Sequence, residues 1–130
     1  MIVDSSALIA VIQREEDAEA FSHVLMNAKT CYISAANLFE AAILADRDRN
    51  PVNSRKFDEL CTSIGLKVIP FDEAQARIAR EAYRDFGKGS GHKARLNFGD
   101  CFAYALARAL NEPLLFKGND FSHTDIRSAL

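Results

Sequence analysis

The sequence predicts an α/β protein: a three-layer α/β/α sandwich built on a central parallel sheet. Two observations carry this. Short apolar runs, MIVD (1–4), TCYIS (30–34), LKVIP (66–70) and PLLF (113–116), alternate with longer stretches of helical periodicity. Each run is separated from the next by enough residues for a crossover helix, which parallel strands require and hairpins do not. The 130 residues show no repeat, low-complexity tract or long linker, so residues 1–130 are expected to form one domain with a real core.

The elements follow in order. MIVD reads as a buried strand, succeeded at once by a helix from Ser5 to about Gln13. A second helix is expected from Asp17 to Ala28, with Ala18, Phe21, Val24 and Leu25 at helical spacing. After the TCYIS strand, Ser34 is a good N-cap for a helix through Asp46. That helix, AANLFEAAILAD, is apolar on nearly every side and reads as buried. Pro51 suits a helix start, and Phe57, Leu60 and Ile64 form its apolar stripe up to Gly65. Pro70 closes the third strand, and Asp72 opens a long helix in a D-x-x-Q pattern that resembles a capping box. That helix ends in FGKGSGHKARLN, whose glycines predict a mobile loop. The segment NFGDCFAYALARAL supplies a helix from Phe98, and beyond PLLF a short tail is placed to add an edge strand.

Composition narrows the function. Hydrophobic residues make up 48% and charged residues 26%, ordinary for a globular protein. A net charge of −2 excludes a global positive field, so a polyanion would need a local basic patch or metal ions. One such patch lies in residues 84–95, where Arg84, Lys88, Lys93 and Arg95 face Asp85 alone. Lys88, Lys93 and Arg95 are candidates to hold phosphates, with an ordinary solvated loop as the alternative. Its glycines lack Walker A spacing, and no GxGxxG follows the first strand, which disfavours a nucleotide cofactor. Cys31, Cys61 and Cys101 are scattered and odd in number, against a disulfide framework or zinc site. MIVDSSALIAVIQREED is neither a leader nor a transmembrane span, so a cytoplasmic protein without membrane association is expected.

The acids carry the chemistry. Asp4 closes the first strand, Asp120 follows the fourth by a few residues, and Asp100 lies in the first turn of the helix leading into that strand. All three fall at the carboxyl edge of the sheet, where ligands bind in such folds. Glu40, one to two turns into its helix, faces the same edge if that helix packs across the sheet. Each has a plainer alternative: Asp4 as an N-cap, Asp100 as half of a capping box with Asn97, Asp120 as an Asx-turn residue, Glu40 as a solvent-facing side chain beside Asn37. Convergence of all four is harder to explain that way. Gathered carboxylates raise one another's pKa, and a hard divalent cation removes the penalty. The matching chemistry is metal-dependent phosphoryl hydrolysis, with Mg²⁺ or Mn²⁺ favoured because His23, His92 and His123 form no zinc-like set.

These stretches resemble the PIN-domain ribonucleases, in particular the small VapC-type toxins of bacterial toxin–antitoxin pairs. The resemblance rests on MIVDSSALIA, the Glu in AANLFEAAILA, NFGDCFAYALA and LLFKGNDFSHTDI, and spans nearly the whole chain. It implies a PIN-like sandwich and an endoribonuclease that hydrolyses RNA with a metal-activated water. It also implies a Mg²⁺ site at Asp4, Glu40 and Asp100, with Asp120 as the fourth acid and Asp125 as its competitor. Ser6 takes the position of a small group supporting the first Asp, and Asn119 neighbours the fourth acid. The resemblance further implies a homodimer and a cognate antitoxin as partner. Two alternatives stand beside it. A haloacid-dehalogenase-like phosphatase would want a second Asp where Ser6 stands, and a non-catalytic PIN-like module would bind metal without cutting RNA.

Overall fold

The computed structural model describes residues 1–130. Its elements are β1 (Ile2–Val3), α1 (Ser5–Ile12), α2 (Ala18–Asn27), β2 (Tyr32–Ser34), α3 (Ala35–Asp46), α4 (Pro51–Ser63), β3 (Lys67–Ile69), α5 (Glu73–Phe86), α6 (Phe98–Leu110) and β4 (Leu114–Leu115). All strand pairs are parallel, in the order β3-β2-β1-β4. The chain therefore builds outward from β1 through β2 to β3, then crosses to the other side of β1. The reversal lies between β1 and β4, and in a parallel sheet that point opens a crevice beyond the strands' carboxyl ends.

Side-chain alternation along the strands sorts the core into two halves. Val3, Ile33 and Leu115 face helices α1 to α4, packing with Leu8, Phe21, Leu25 and Phe57. Ile2 and Leu114 point the other way, onto Ala79, Ala82, Ala103 and Leu106 of α5 and α6. The expected three layers are present. The tail contributes one parallel bridge, Ser128 beside Leu114, with Leu114 N–H donating to Arg127 O and Ala129 N–H to Leu114 O. No helix is long and apolar enough to cross a membrane.

Local signals place most helix starts. Asn50 Oδ1 accepts from Val52 N–H, with Pro51 at the first helical position. Asp72 accepts from Gln75 N–H, but the reciprocal half of the expected box is missing. Gln75 is turned inward and its amide donates to Pro70 O instead. Ser34 precedes α3 without capping it through its hydroxyl.

One expectation fails. Helix α3 is not buried all round: Asn37, Ala41 and Ala45 face inward against the neighbouring helices, whereas Phe39 is 69% and Ile43 50% exposed. An apolar pattern on every side reports what the helix is built to contact, and no element of this chain covers the outer stripe. The glycine-rich loop is tied at its base. Lys88 N–H donates to Leu96 O, Leu96 N–H to Phe86 O, and the Tyr83 hydroxyl to Lys88 O, while Ala94 and Leu96 are buried as anchors. Gly89 and Gly91 adopt φ of +95° and +84°, so they serve the turn geometry.

Ile33 is fully buried in the second strand. Ile33→Ala is expected to destabilise the protein by about 2–5 kcal/mol in urea denaturation, as a core cavity would; a loss below about 1 kcal/mol would contradict this packing.

Candidate active site

Asp4 emerges from the central strand β1, 5% exposed, and caps α1. Its Oδ2 accepts from Ser6 N–H at 3.0 Å and from the Ser6 hydroxyl at 2.5 Å. Ser6 Oγ in turn accepts from Lys117 N–H at 3.0 Å. Ser6 thus ties the carboxylate after β1 to the chain leaving β4, across the reversal of strand order.

Asp100 completes a full capping box: Asn97 Oδ1 accepts from Asp100 N–H and Asp100 Oδ2 accepts from Asn97 N–H, both at 2.8 Å. The capping alternatives for Asp4 and Asp100 are therefore correct, yet they occupy only one oxygen of each. Oδ1 of Asp4 and Oδ1 of Asp100 accept no hydrogen bond within the chain. Capping and a role in the site do not compete here.

Glu40 reaches the same place from α3. Asn37, fully buried, donates through Nδ2 to Glu40 Oε2 at 3.2 Å and to Gly99 O at 3.0 Å. A Cβ on Gly99 would stand 2.9 Å from both Glu40 carboxylate oxygens. The Glu40 carboxylate thus lies against the first turn of α6, one residue from Asp100, in space that exists because residue 99 has no side chain. Asn37 and Gly99 were not anticipated as site residues. A buried Asn three positions before a Glu was the available signal, since such an amide needs a partner.

Asp120 is exposed in the loop after β4, and its charge reaches Asp100. Asp125 does not join them. It accepts from the Tyr104 hydroxyl at 2.7 Å and pairs with Arg108 at 3.0 Å, on another side of α6. Asn119 and Asp120 share a cavity of about 350 Å³ with Lys88, Lys93, Arg95 and His123, so the basic loop meets one of the four acids, Asp120. His123 escaped notice because nothing in the local sequence brings it to residues 88–95.

Electrostatics follow from this placement. Burial pushes the Asp4 carboxyl up to about 6, against the lowering effect of Ser6 and with added repulsion from Glu40. Burial also pushes Asp100 up to about 7, opposed by the Asn97 N–H and reinforced by Asp4, Asp120 and Glu40. No three acidic, histidine or cysteine side chains close a cage around an ion by themselves. The donors are carboxylate oxygens, and Oδ1 of Asp4 and of Asp100 has unused valence. Such a set fits a hard cation that keeps several waters, as Mg²⁺ does, better than a fully enclosed ion.

The fold and the site together define a parallel α/β protein with acids gathered near its strand-order reversal. The chain belongs to the PIN-domain family, whose pattern it matches over residues 1–127. It is 54% identical over 130 residues to ribonuclease VapC28 of Mycobacterium tuberculosis, covering 100% of this chain and 98% of that one. To ribonuclease VapC42 of the same species it is 46% identical over 129 residues, covering 99% and 98%. In structure it is similar to VapBC2 from Rickettsia felis bound to a promoter DNA fragment, with TM-score 0.75, 16% identity, and 98% and 94% coverage. It is also similar to Mycobacterium tuberculosis VapC20, described as a sarcin–ricin loop cleaving toxin, with TM-score 0.70, 15% identity, and 97% and 98% coverage.

Two outcomes are expected. Asp4 and Asp100 bind protons more tightly in the folded state than at the ordinary value of 3.8. Their contribution is fully present below that pH and is lost as pH rises through about 6 and 7. In EDTA, Asp100→Asn should therefore gain roughly 2–4 kcal/mol over wild type between pH 4 and pH 8, read by urea denaturation; a constant difference would contradict the assignment. Gly99→Ala should displace the Glu40 carboxylate and leave α6 helical by circular dichroism. A crystal structure of the variant with Glu40 unmoved would refute the close approach.

Proposed function

We propose that this chain, as one nuclease domain of residues 1–130, is the endoribonuclease toxin of a type II toxin–antitoxin pair. The observation that carries the reading is the arrival of Asp4, Glu40 and Asp100 from three separate elements at the reversal point. Asp4 and Asp100 each keep one oxygen that accepts no bond within the chain. The close relatives are named ribonucleases and align over essentially their whole length, which supports the same activity here.

In this reading Asp4, Glu40, Asp100 and Asp120 hold Mg²⁺, with Mn²⁺ able to substitute. When bound, a divalent cation supplies an activated water and neutralises charge on the phosphodiester. The chain's own groups do the rest. Ser6 orients Asp4 through two hydrogen bonds, and Asn37 holds Glu40 against Gly99. The N-termini of α1 and α6 favour a negative phosphate beside their caps. Lys88, Lys93 and Arg95 hold RNA phosphates, and Asn119 assists at Asp120. Ser6 occupies the position where a phosphatase of the haloacid-dehalogenase type needs its acid, and here it serves Asp4, so that alternative gains no support.

Partners follow from surface. Phe39, Ile43 and Phe98 are exposed apolar side chains on α3 and α6, a surface of the kind that protein partners cover. A cognate antitoxin and a second copy of the chain are the proposed occupants, in the cytoplasm. The solved VapBC2 structure and a toxin–antitoxin complex from Klebsiella pneumoniae share the fold.

Incubated with total RNA, antitoxin-free protein should yield discrete fragments in Mg²⁺ or Mn²⁺ and none in EDTA. Asp4→Asn should lower the rate by roughly 10²-fold or more, the scale of losing one preorganised electrostatic group. Equal cleavage by the variant would refute the assignment.

A further inference from the structure

The cavity of about 350 Å³ beside Asp120 is lined almost wholly by polar side chains. Some basic side chains at the surface are paired with acids, as Arg77 is with Glu73, Arg84 with Asp85, Arg108 with Asp125 and Lys117 with Glu15. Lys88, Lys93 and Arg95 join no ion pair. The side chains of Asn119 and His123, on the opposite wall, make no hydrogen bond within the chain. Five polar groups with unused capacity therefore converge on one concavity whose rim includes an acid of the candidate active site.

The backbone is arranged to present them. Arg95 adopts φ +54°, a left-handed conformation that favours glycine, between the buried anchors Ala94 and Leu96. The concavity is at the small end of ligand sites and admits one unstacked base, not a duplex. Cations suit the phosphates on either side of such a base. An imidazole stacks on it, and an Asn amide reads the donor and acceptor pattern of its edge.

We propose that this cavity is a base-reading subsite for single-stranded RNA, holding the nucleotide next to the scissile phosphate. His123 and Asn119 set the base preference, and Lys88, Lys93 and Arg95 hold the flanking phosphates. The assignment rests on the ribonuclease reading but adds the recognition that the metal chemistry lacks, since phosphate contacts position and base contacts specify.

The test is a binding selection. A randomised pool of single-stranded RNA oligonucleotides is bound in Mg²⁺ by protein carrying Asp4→Asn, which reads recognition without cutting, and the bound fraction is sequenced. One position should be enriched for particular bases about fivefold or more. Adding His123→Ala or Asn119→Ala should reduce that enrichment below about twofold; both residues are exposed, so the fold is retained. Adding Lys93→Ala with Arg95→Ala should weaken binding of all sequences, flatten the salt dependence and leave the enrichment in place. Absence of binding or enrichment, or enrichment unchanged by His123→Ala and Asn119→Ala, would overturn the proposal. Wild-type cleavage of the same pool is scored separately. Enriched binding without cleavage removes the nuclease reading and keeps the subsite, whereas cleavage without a base preference does the reverse.

Discussion

The site depends on holding carboxylates together, mostly buried, around the N-termini of α1 and α6. Each acid has a local reason to be where it is. Asp4 caps α1, Asp100 completes the capping box of α6, and Glu40 is clamped by Asn37 against Gly99. Placing them there has a cost: burial first, and mutual repulsion after it, displaces the Asp4 and Asp100 carboxyls upward. Capping bonds offset part of that cost and keep the acids oriented without a cation. The site is thus preorganised by secondary structure, and its charge is left to be neutralised by a ligand.

Topology supplies the convergence. With β1 between β2 and β4, the residue leaving β1 and the loop leaving β4 flank the same gap, and Ser6 bonds across it. Helix α6 returns the chain to β4, so its N-terminus must start at the carboxyl edge and brings Asp100 there. Helix α3 follows β2 directly, which places Glu40 a short distance along the same edge.

Much of this was legible in the sequence because it is local. Strands showed as apolar runs, and Asp4, Asn50, Asp72 and Asn97 sit immediately before the helices they cap. What was not legible depends on distant pairs. The Asn37–Gly99 bond joins residues 62 apart in sequence, and His123 meets Lys88 and Lys93 only through the fold. The separation of Asp125 from Asp120 depends on Tyr104 and Arg108, which engage Asp125 from α6. Helix α3 misled for another reason: periodicity shows that a stripe is apolar, but not whether this chain or a partner covers it. The bonds that close the base of the glycine-rich loop, between Phe86, Lys88 and Leu96, likewise could not be read from its composition.

The most direct test of the central claim is anomalous diffraction from crystals of metal-free protein soaked in Mn²⁺. The account predicts a Mn²⁺ peak bounded by Asp4, Asp100 and Asp120 that disappears in Asp100→Asn crystals. A peak elsewhere, or one that persists unchanged without the Asp100 carboxylate, would contradict it.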